Sequence, residues 1–164
     1  MKIAVYPGSF DPVTLGHLDI IERSLELFDQ VIVAVMYNRN KNPMFDVDER
    51  VALLKESTKH LRNVSIDSHE GLLVDYLKRN NIKIIVKGLR AISDFEAEFQ
   101  MASVNQRLCK DVETVFIMTR TEYMYLSSSI VKEVASFNGD ITNFVNEVVY
   151  EAIEEKLGGR NERK

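Results

Sequence analysis

Five short runs, at 2–6, 31–36, 64–68, 82–86 and 114–118, most of them rich in valine and isoleucine, alternate with stretches of helical periodicity along almost the whole chain. Consecutive apolar residues in so short a run mark strands covered on both faces. The stretches between them carry helical stripes: Leu18, Ile21, Leu25 and Phe28 form one, and Val51, Leu54, Thr58 and Leu61 a second, opened by Asp46 and Glu49 at capping-box spacing. Leu72 to Leu77 supports a short third helix, and Ser93 and Glu96 open a fourth with Phe95, Phe99, Ala102 and Gln106 along one side. A last helical region runs from the serines at 127–129 to Leu157, with a break expected near Asn138, Gly139 and Asp140. Such alternation predicts an α/β fold, a doubly wound five-stranded parallel sheet with helices on both faces.

At 164 residues the chain fits one domain, expected over 1–157, with 158–164 as a solvated, flexible tail. A chain this long buries roughly 70% of its unfolded surface, enough for a core without disulfides or structural metal. Its one cysteine, Cys109, is expected half-buried on a helix, which suits a reducing cytoplasm. Met1 leads straight into a strand, no secretory leader is expected, and no apolar run approaches the 18 residues of a membrane span. The formal net charge is −4, so neither nucleic acid nor a membrane is an expected partner. An anionic ligand must be held by positive groups gathered locally.

Parallel sheets bind ligands at the carboxyl ends of their strands, where the strand order reverses. For the order 3-2-1-4-5 that point lies between the first and fourth strands. Pro7, Gly8, Ser9 and Phe10 leave the first, and Lys87, Gly88, Leu89 and Arg90 leave the fourth, so pattern and topology point to one crevice. Thr14, Leu15, Gly16 and His17 follow at a helix start, where backbone N–H groups have no partners and attract anions. Gly16 allows close approach of a ligand, and His17 can aim an imidazole N–H at a phosphoryl oxygen. His60 and His69 lack such a setting and read as surface residues.

Lys87 and Arg90 flank a glycine and suit phosphate or carboxylate, although a solvated basic loop has the same composition. Ser127, Ser128 and Ser129 precede a helical run and offer more hydroxyls than an N-cap needs. Arg39 and Lys41, in the polar loop after the second strand, are further candidate anion contacts or simply solvated. Metal-ligand spacing, a nucleophile–base pair, the dinucleotide-binding glycine pattern and the P-loop are all missing. Donors for anions without a covalent catalyst suit phosphoryl or nucleotidyl transfer, where catalysis is mostly positioning and charge stabilisation.

These residues resemble the nucleotidyltransferases that carry a (T/H)xGH motif and a later serine-rich helix start. Within that group the chain is similar to the bacterial phosphopantetheine adenylyltransferases, from Tyr6 through Asp19, Gly71 through Tyr76, Gly88 through Ala91, Asp94 through Glu96 and Ser127 through Ala135. The resemblance implies a Rossmann-like fold, and transfer of an adenylyl group from ATP to 4′-phosphopantetheine in coenzyme A synthesis, with Mg²⁺ as cofactor. It implies that His17 stabilises the transition state, and that Ser9, Phe10, His17, Gly88, Leu89, Arg90, Glu98, Tyr123, Met124, Tyr125, Leu126, Ser127, Ser128 and Ser129 line the ATP side. Ser9, Lys41, Leu73 and Lys87 would contact phosphopantetheine, with Leu72, Leu73 and Met101 near its apolar arm. A homohexamer that binds coenzyme A back in the site is also implied, and apolar residues spread around the helix at Phe99, Met101, Val104 and Leu108 suit assembly. Position 87 is lysine where the family usually has arginine, and Leu126 stands where isoleucine is usual. Two alternatives stay open: a nucleotidyltransferase acting on nicotinate mononucleotide or glycerol 3-phosphate, and a non-catalytic ATP-binding module.

Overall fold

The computed structural model of the chain describes residues 1–37 and 42–161. Strands β1 (Ile3–Gly8), β2 (Gln30–Tyr37), β3 (Val64–Glu70), β4 (Ile84–Leu89) and β5 (Glu113–Met118) form one sheet in the order β3-β2-β1-β4-β5. Every pairing is parallel, as the alternating pattern requires. Helices α1 (Leu15–Ser24), α2 (Val47–Thr58), α3 (Leu73–Asn80) and α4 (Ile92–Leu108) make the crossovers, and α5 (Ser128–Ser136) and α6 (Glu147–Asn161) complete the chain. One apolar cluster holds Ala4, Val33 and Val35 of the sheet with Ile20, Leu54, Val131, Val149 and Ile153 from the helices. A second, on the other face, joins Val5, Ala34 and Ile85 to Tyr76, Leu77 and Val112.

Strand pairing explains where the sheet opens. β1 follows β2 in register to Gly8↔Val35, but against β4 it pairs only at Ala4↔Ile84 and Val5↔Ile85. Beyond Val5 the two central strands part, and β4 continues beside β5 to Leu89↔Met118. Pro7, which has no N–H to offer, lies where β1 has already left β4. Both strands are longer than the apolar pattern indicates: Pro7 and Gly8 belong to β1, and Lys87, Gly88 and Leu89 to β4 rather than to loops.

Other boundaries also differ. α4 starts at Ile92 with Ala91 at its N-cap and no side-chain cap, so the expected Ser93–Glu96 box is not the helix start. The first turn is fixed instead by Arg90, just past the strand end, whose guanidinium reaches forward to Asp94 at 3.0 Å. α6 continues past Leu157 to Asn161, because glycine lowers helix propensity by only about 1 kcal/mol without forbidding the conformation. The break after α5 falls as expected: Asn138 takes φ +58°, and a Cβ on Gly139 would lie 2.6 Å from Val134 Cγ1. Cys109 is half-buried at the end of α4, and His60 lies exposed beside Glu22. His69 corrects its surface assignment. It is 8% exposed, its ring packed 5.4 Å from that of Tyr76 on α3. Among the described residues no helix is long and apolar enough to cross a membrane.

Candidate active site

Where β1 and β4 part, a crevice of about 460 Å³ opens at the carboxyl edge of the sheet. It is walled by the ends of β1 and β4, the first turns of α1 and α5 and one side of α4. Ser9, Phe10, His17, Lys87, Gly88, Arg90, Glu98, Leu126, Ser127, Ser128 and Ser129 all line it, brought together from four separate stretches of sequence. Leu73, Leu89, Tyr123, Met124 and Tyr125 do not. Leu73 packs with the second apolar cluster, Leu89 ends β4, and Tyr125 lies half exposed, edge-on to Phe144. Lys41 and Arg39 lie outside the described residues.

His17 is the third residue of α1, and its orientation is fixed by a capping box. Thr14 caps the helix by accepting the His17 N–H at 3.3 Å, and the Thr14 N–H donates back to His17 Nδ1 at 3.1 Å. Here histidine does what glutamate usually does in that motif. Because Nδ1 accepts, the neutral ring carries its proton on Nε2. Among the described residues no hydrogen bond tethers that nitrogen within the crevice. Burial, aided by the nearby Arg90 charge, pushes the imidazole down to about 4, so it is neutral at physiological pH. Phe10 holds the ring edge-on at 5.1 Å between centroids, and Tyr6 lies beyond it at 6.5 Å. Phe10 itself is 2% exposed at φ +47° and also fills the space over Gly8, where a Cβ would lie 2.9 Å from its ring.

The basic groups are held rather than waving in solvent. Lys87 Nζ pairs with Glu98 Oε2 on α4 at 3.1 Å. Arg90 donates to the Leu126 carbonyl at 2.7 Å as well as to Asp94, so one guanidinium ties β4, α4 and the entry to α5 together. Ser127 Oγ caps α5 by accepting from the Ile130 N–H at 3.1 Å, and Ser128 Oγ donates to the Pro12 carbonyl at 2.7 Å. Two of the three serines therefore have structural partners, and Ser129 is the exposed one at the rim. Gly88 serves packing: a Cβ there would meet Ile20 Cγ1 at 2.9 Å, and its absence lets α1 lie close on β4.

Asp19 is a residue that carried no role in the sequence. Nearly buried on α1, it takes Arg120 Nε at 3.0 Å and Arg23 Nη1 at 3.4 Å, while Arg23 also donates to the Met118 carbonyl at 2.6 Å. This network ties the segment after β5, with its 3₁₀ turn at Thr121–Tyr123, to the helix that bears His17. An Asp two positions after the histidine is the signal that was available for it.

A family model for cytidylyltransferase-like proteins matches residues 5–134. A phosphopantetheine adenylyltransferase of Alkaliphilus metalliredigens is 56% identical over 95% of this chain and 99% of its own length. One from Clostridium botulinum, strain Alaska E43, is 58% identical over 88% and 91%. In structure, a Vibrio parahaemolyticus protein assigned as a nicotinate-nucleotide adenylyltransferase matches with a TM-score of 0.71 over 93% of this chain and 99% of its own. At 21% identity that match speaks for the fold alone. With a family model over most of its length and relatives well above half identical, the chain belongs to the cytidylyltransferase-like family and, within it, to the phosphopantetheine adenylyltransferases.

Proposed function

We propose that this enzyme transfers the adenylyl group of ATP to the phosphate of 4′-phosphopantetheine, giving dephospho-coenzyme A and pyrophosphate. The observation that carries the reading is a neutral histidine, Nδ1 tied back to Thr14 and Nε2–H left for a ligand, in a crevice edged by Lys87, Arg90 and the start of α5. The acceptor phosphate is already a nucleophile at neutral pH, so no strong base is needed. Its oxygen forms a bond to the α-phosphorus as the bond to the α–β bridging oxygen breaks, and the electron pair leaves with pyrophosphate. Charge accumulates on the oxygens around phosphorus, where the His17 N–H donates and the α5 N-terminus adds positive potential. A donor that stays neutral need not give up a proton.

In this reading Ser9, Lys41, Leu73 and Lys87 hold phosphopantetheine, and the ATP side runs from Ser9 and Phe10 through Gly88, Leu89, Arg90 and Glu98 to 123–129. Mg²⁺ comes with the nucleotide as counter-ion. Among the described residues no three His, Cys, Asp or Glu gather to hold a metal, and Mg²⁺ takes its ligands readily from substrate phosphates and water. When bound it offsets phosphate charge. The setting is the cytoplasm, and coenzyme A returns to the crevice as a feedback ligand. The assembly is a homohexamer, a reading supported by apolar residues exposed around α4, where Phe95, Phe99, Met101, Val104 and Leu108 are 42–54% exposed. Light scattering at micromolar concentration checks it, and a monomer rejects it.

Pyrophosphate release from ATP, measured with 4′-phosphopantetheine, nicotinate mononucleotide, glycerol 3-phosphate or no acceptor, tests the function. Release with phosphopantetheine alone is the expected result. Turnover with another acceptor, or tight ATP binding without turnover, overturns the reading.

A further inference from the structure

Tyr6 is the last large side chain of β1 before Pro7, and it has no part in the chemistry above. It lines the crevice just past Val5, where β1 parts from β4, and is 6% exposed. Phe10 stands edge-on to its ring at 5.3 Å between centroids, and the His17 ring lies 6.5 Å away. The hydroxyl emerges beside β4, with Oη 3.6 Å from where a Cβ on Gly88 would lie. His17 and Gly88 therefore bracket Tyr6, and both belong to the ATP side of the reaction proposed above.

A phenol oxygen this far from water normally has a hydrogen-bond partner. Among the described residues no hydrogen bond reaches Tyr6 Oη. Phenylalanine would fill the same space without leaving a polar atom unpaired, so the fold alone has no use for the oxygen. Burial pushes the phenol well above its ordinary value, and the Glu98 and Asp19 charges add to this while Arg90 opposes it. The proton therefore stays on the oxygen near neutral pH. Tyr6 Oη is a neutral donor, as His17 Nε2 is, and it is carried on a strand with its ring packed in place.

We propose that Tyr6 Oη donates a second hydrogen bond to the α-phosphoryl group of ATP during its transfer, beside the one from His17; this rests on the adenylyl-transfer reading above. Charge builds on the α-oxygens while phosphorus is bonded in part to both the acceptor oxygen and the bridging oxygen. A donor fixed there in advance strengthens in the transition state and adds little to ground-state binding. No proton leaves Tyr6 at any stage.

Tyr6→Phe removes the oxygen and keeps the ring. Continuous pyrophosphate release gives kcat and the KM for ATP and 4′-phosphopantetheine, and urea unfolding gives the stability. The expected result is a kcat at least about tenfold lower, with both KM values within about threefold. The urea midpoint should equal or exceed that of wild type, since no protein hydrogen bond is lost. ATP with sulfur in place of one non-bridging α-oxygen adds a readout that a packing role would not move. Sulfur accepts hydrogen bonds poorly, so for one of the two diastereomers the rate loss relative to ATP should be smaller in Tyr6→Phe than in wild type. An unchanged kcat overturns the proposal. A raised ATP KM with unchanged kcat also overturns it, because the contact is then made in the ground state. A lower kcat with a lower urea midpoint and the wild-type sulfur effects makes the hydroxyl a structural group and overturns it as well. Wild-type enzyme that releases no pyrophosphate with 4′-phosphopantetheine refutes the adenylyl-transfer reading itself, a result distinct from all of these.

Discussion

His17 serves two purposes that substitution can separate: Nδ1 completes the α1 capping box, and Nε2 carries the donor. His17→Asn keeps an oxygen at the distance of Nδ1, so the Thr14 N–H retains a partner, but nothing reaches the place of Nε2. His17→Gln reaches that place with an amide N–H, and glutamine is itself a usual third residue of a capping box. A lost cap costs about 1 kcal/mol of stability. A lost donor to the transition state costs roughly 3–4 kcal/mol of barrier, a hundred- to a thousandfold in rate. His17→Ala loses both, together with the edge contacts to Phe10 and Tyr6, and should be destabilised by about 2–3 kcal/mol. The account therefore expects His17→Asn to unfold near the wild-type urea midpoint, with kcat down at least about a hundredfold and KM for both substrates within a few-fold. His17→Gln should be faster than His17→Asn. Continuous pyrophosphate release measures the rates. If His17→Asn turns over within about tenfold of wild type, the transition-state donor is not His17. A raised ATP KM with unchanged kcat would make the ring a ground-state contact only.

Gly88→Ala places a Cβ 2.9 Å from Ile20 Cγ1, and with Ile20 1% exposed the clash cannot relax into solvent; a loss of about 1–3 kcal/mol is expected. Adding Ile20→Ala should then cost less than it does in wild type, and an equal cost would show that the two groups do not meet. The depressed His17 value sets a pH dependence. Below about 6.5 the unfolded chain takes up a proton that the folded chain accepts only near 4, so this group's contribution to stability is lost as pH falls through that window. Urea unfolding from pH 4 to 8 should show a loss on the order of 2–3 kcal/mol that His17→Asn removes, and parallel profiles would contradict the assignment. Lys87→Ala should weaken 4′-phosphopantetheine far more than ATP, and Lys87→Arg should stay active; unchanged acceptor affinity in the alanine variant would show that the lysine only neutralises Glu98.

Strand order and the place of the crevice were legible because short runs such as 31–36 and 82–86, alternating with helical stretches, read as buried strands, and a parallel sheet in this order has one reversal. Strand ends were not. Lys87 and Gly88 look like loop residues, yet they stay in β4 because β5 supplies partners there after β1 has left. His17 was legible as a donor from its helix start, but its tautomer depends on a capping box in which histidine replaces the expected glutamate. His69 ends an edge strand, where exposure is the natural reading, and only the tertiary packing of Tyr76 buries it. Arg50, one residue past the acidic start of α2, looks solvated; its burial comes from a carbonyl 41 positions earlier, at Ser9. The Lys87–Glu98 pair, between a strand and the helix that follows, likewise has no local signature.

The central claim is direct transfer, without a covalent adenylyl-enzyme, in a crevice whose donors only position and stabilise. ATP labelled in its α-phosphate, followed with and without 4′-phosphopantetheine, tests it together with exchange of labelled pyrophosphate into ATP. The account predicts label in dephospho-coenzyme A only when acceptor is present, no label retained on the denatured protein, and no pyrophosphate exchange in the absence of acceptor. Exchange without acceptor, or label that stays with the protein, would contradict it.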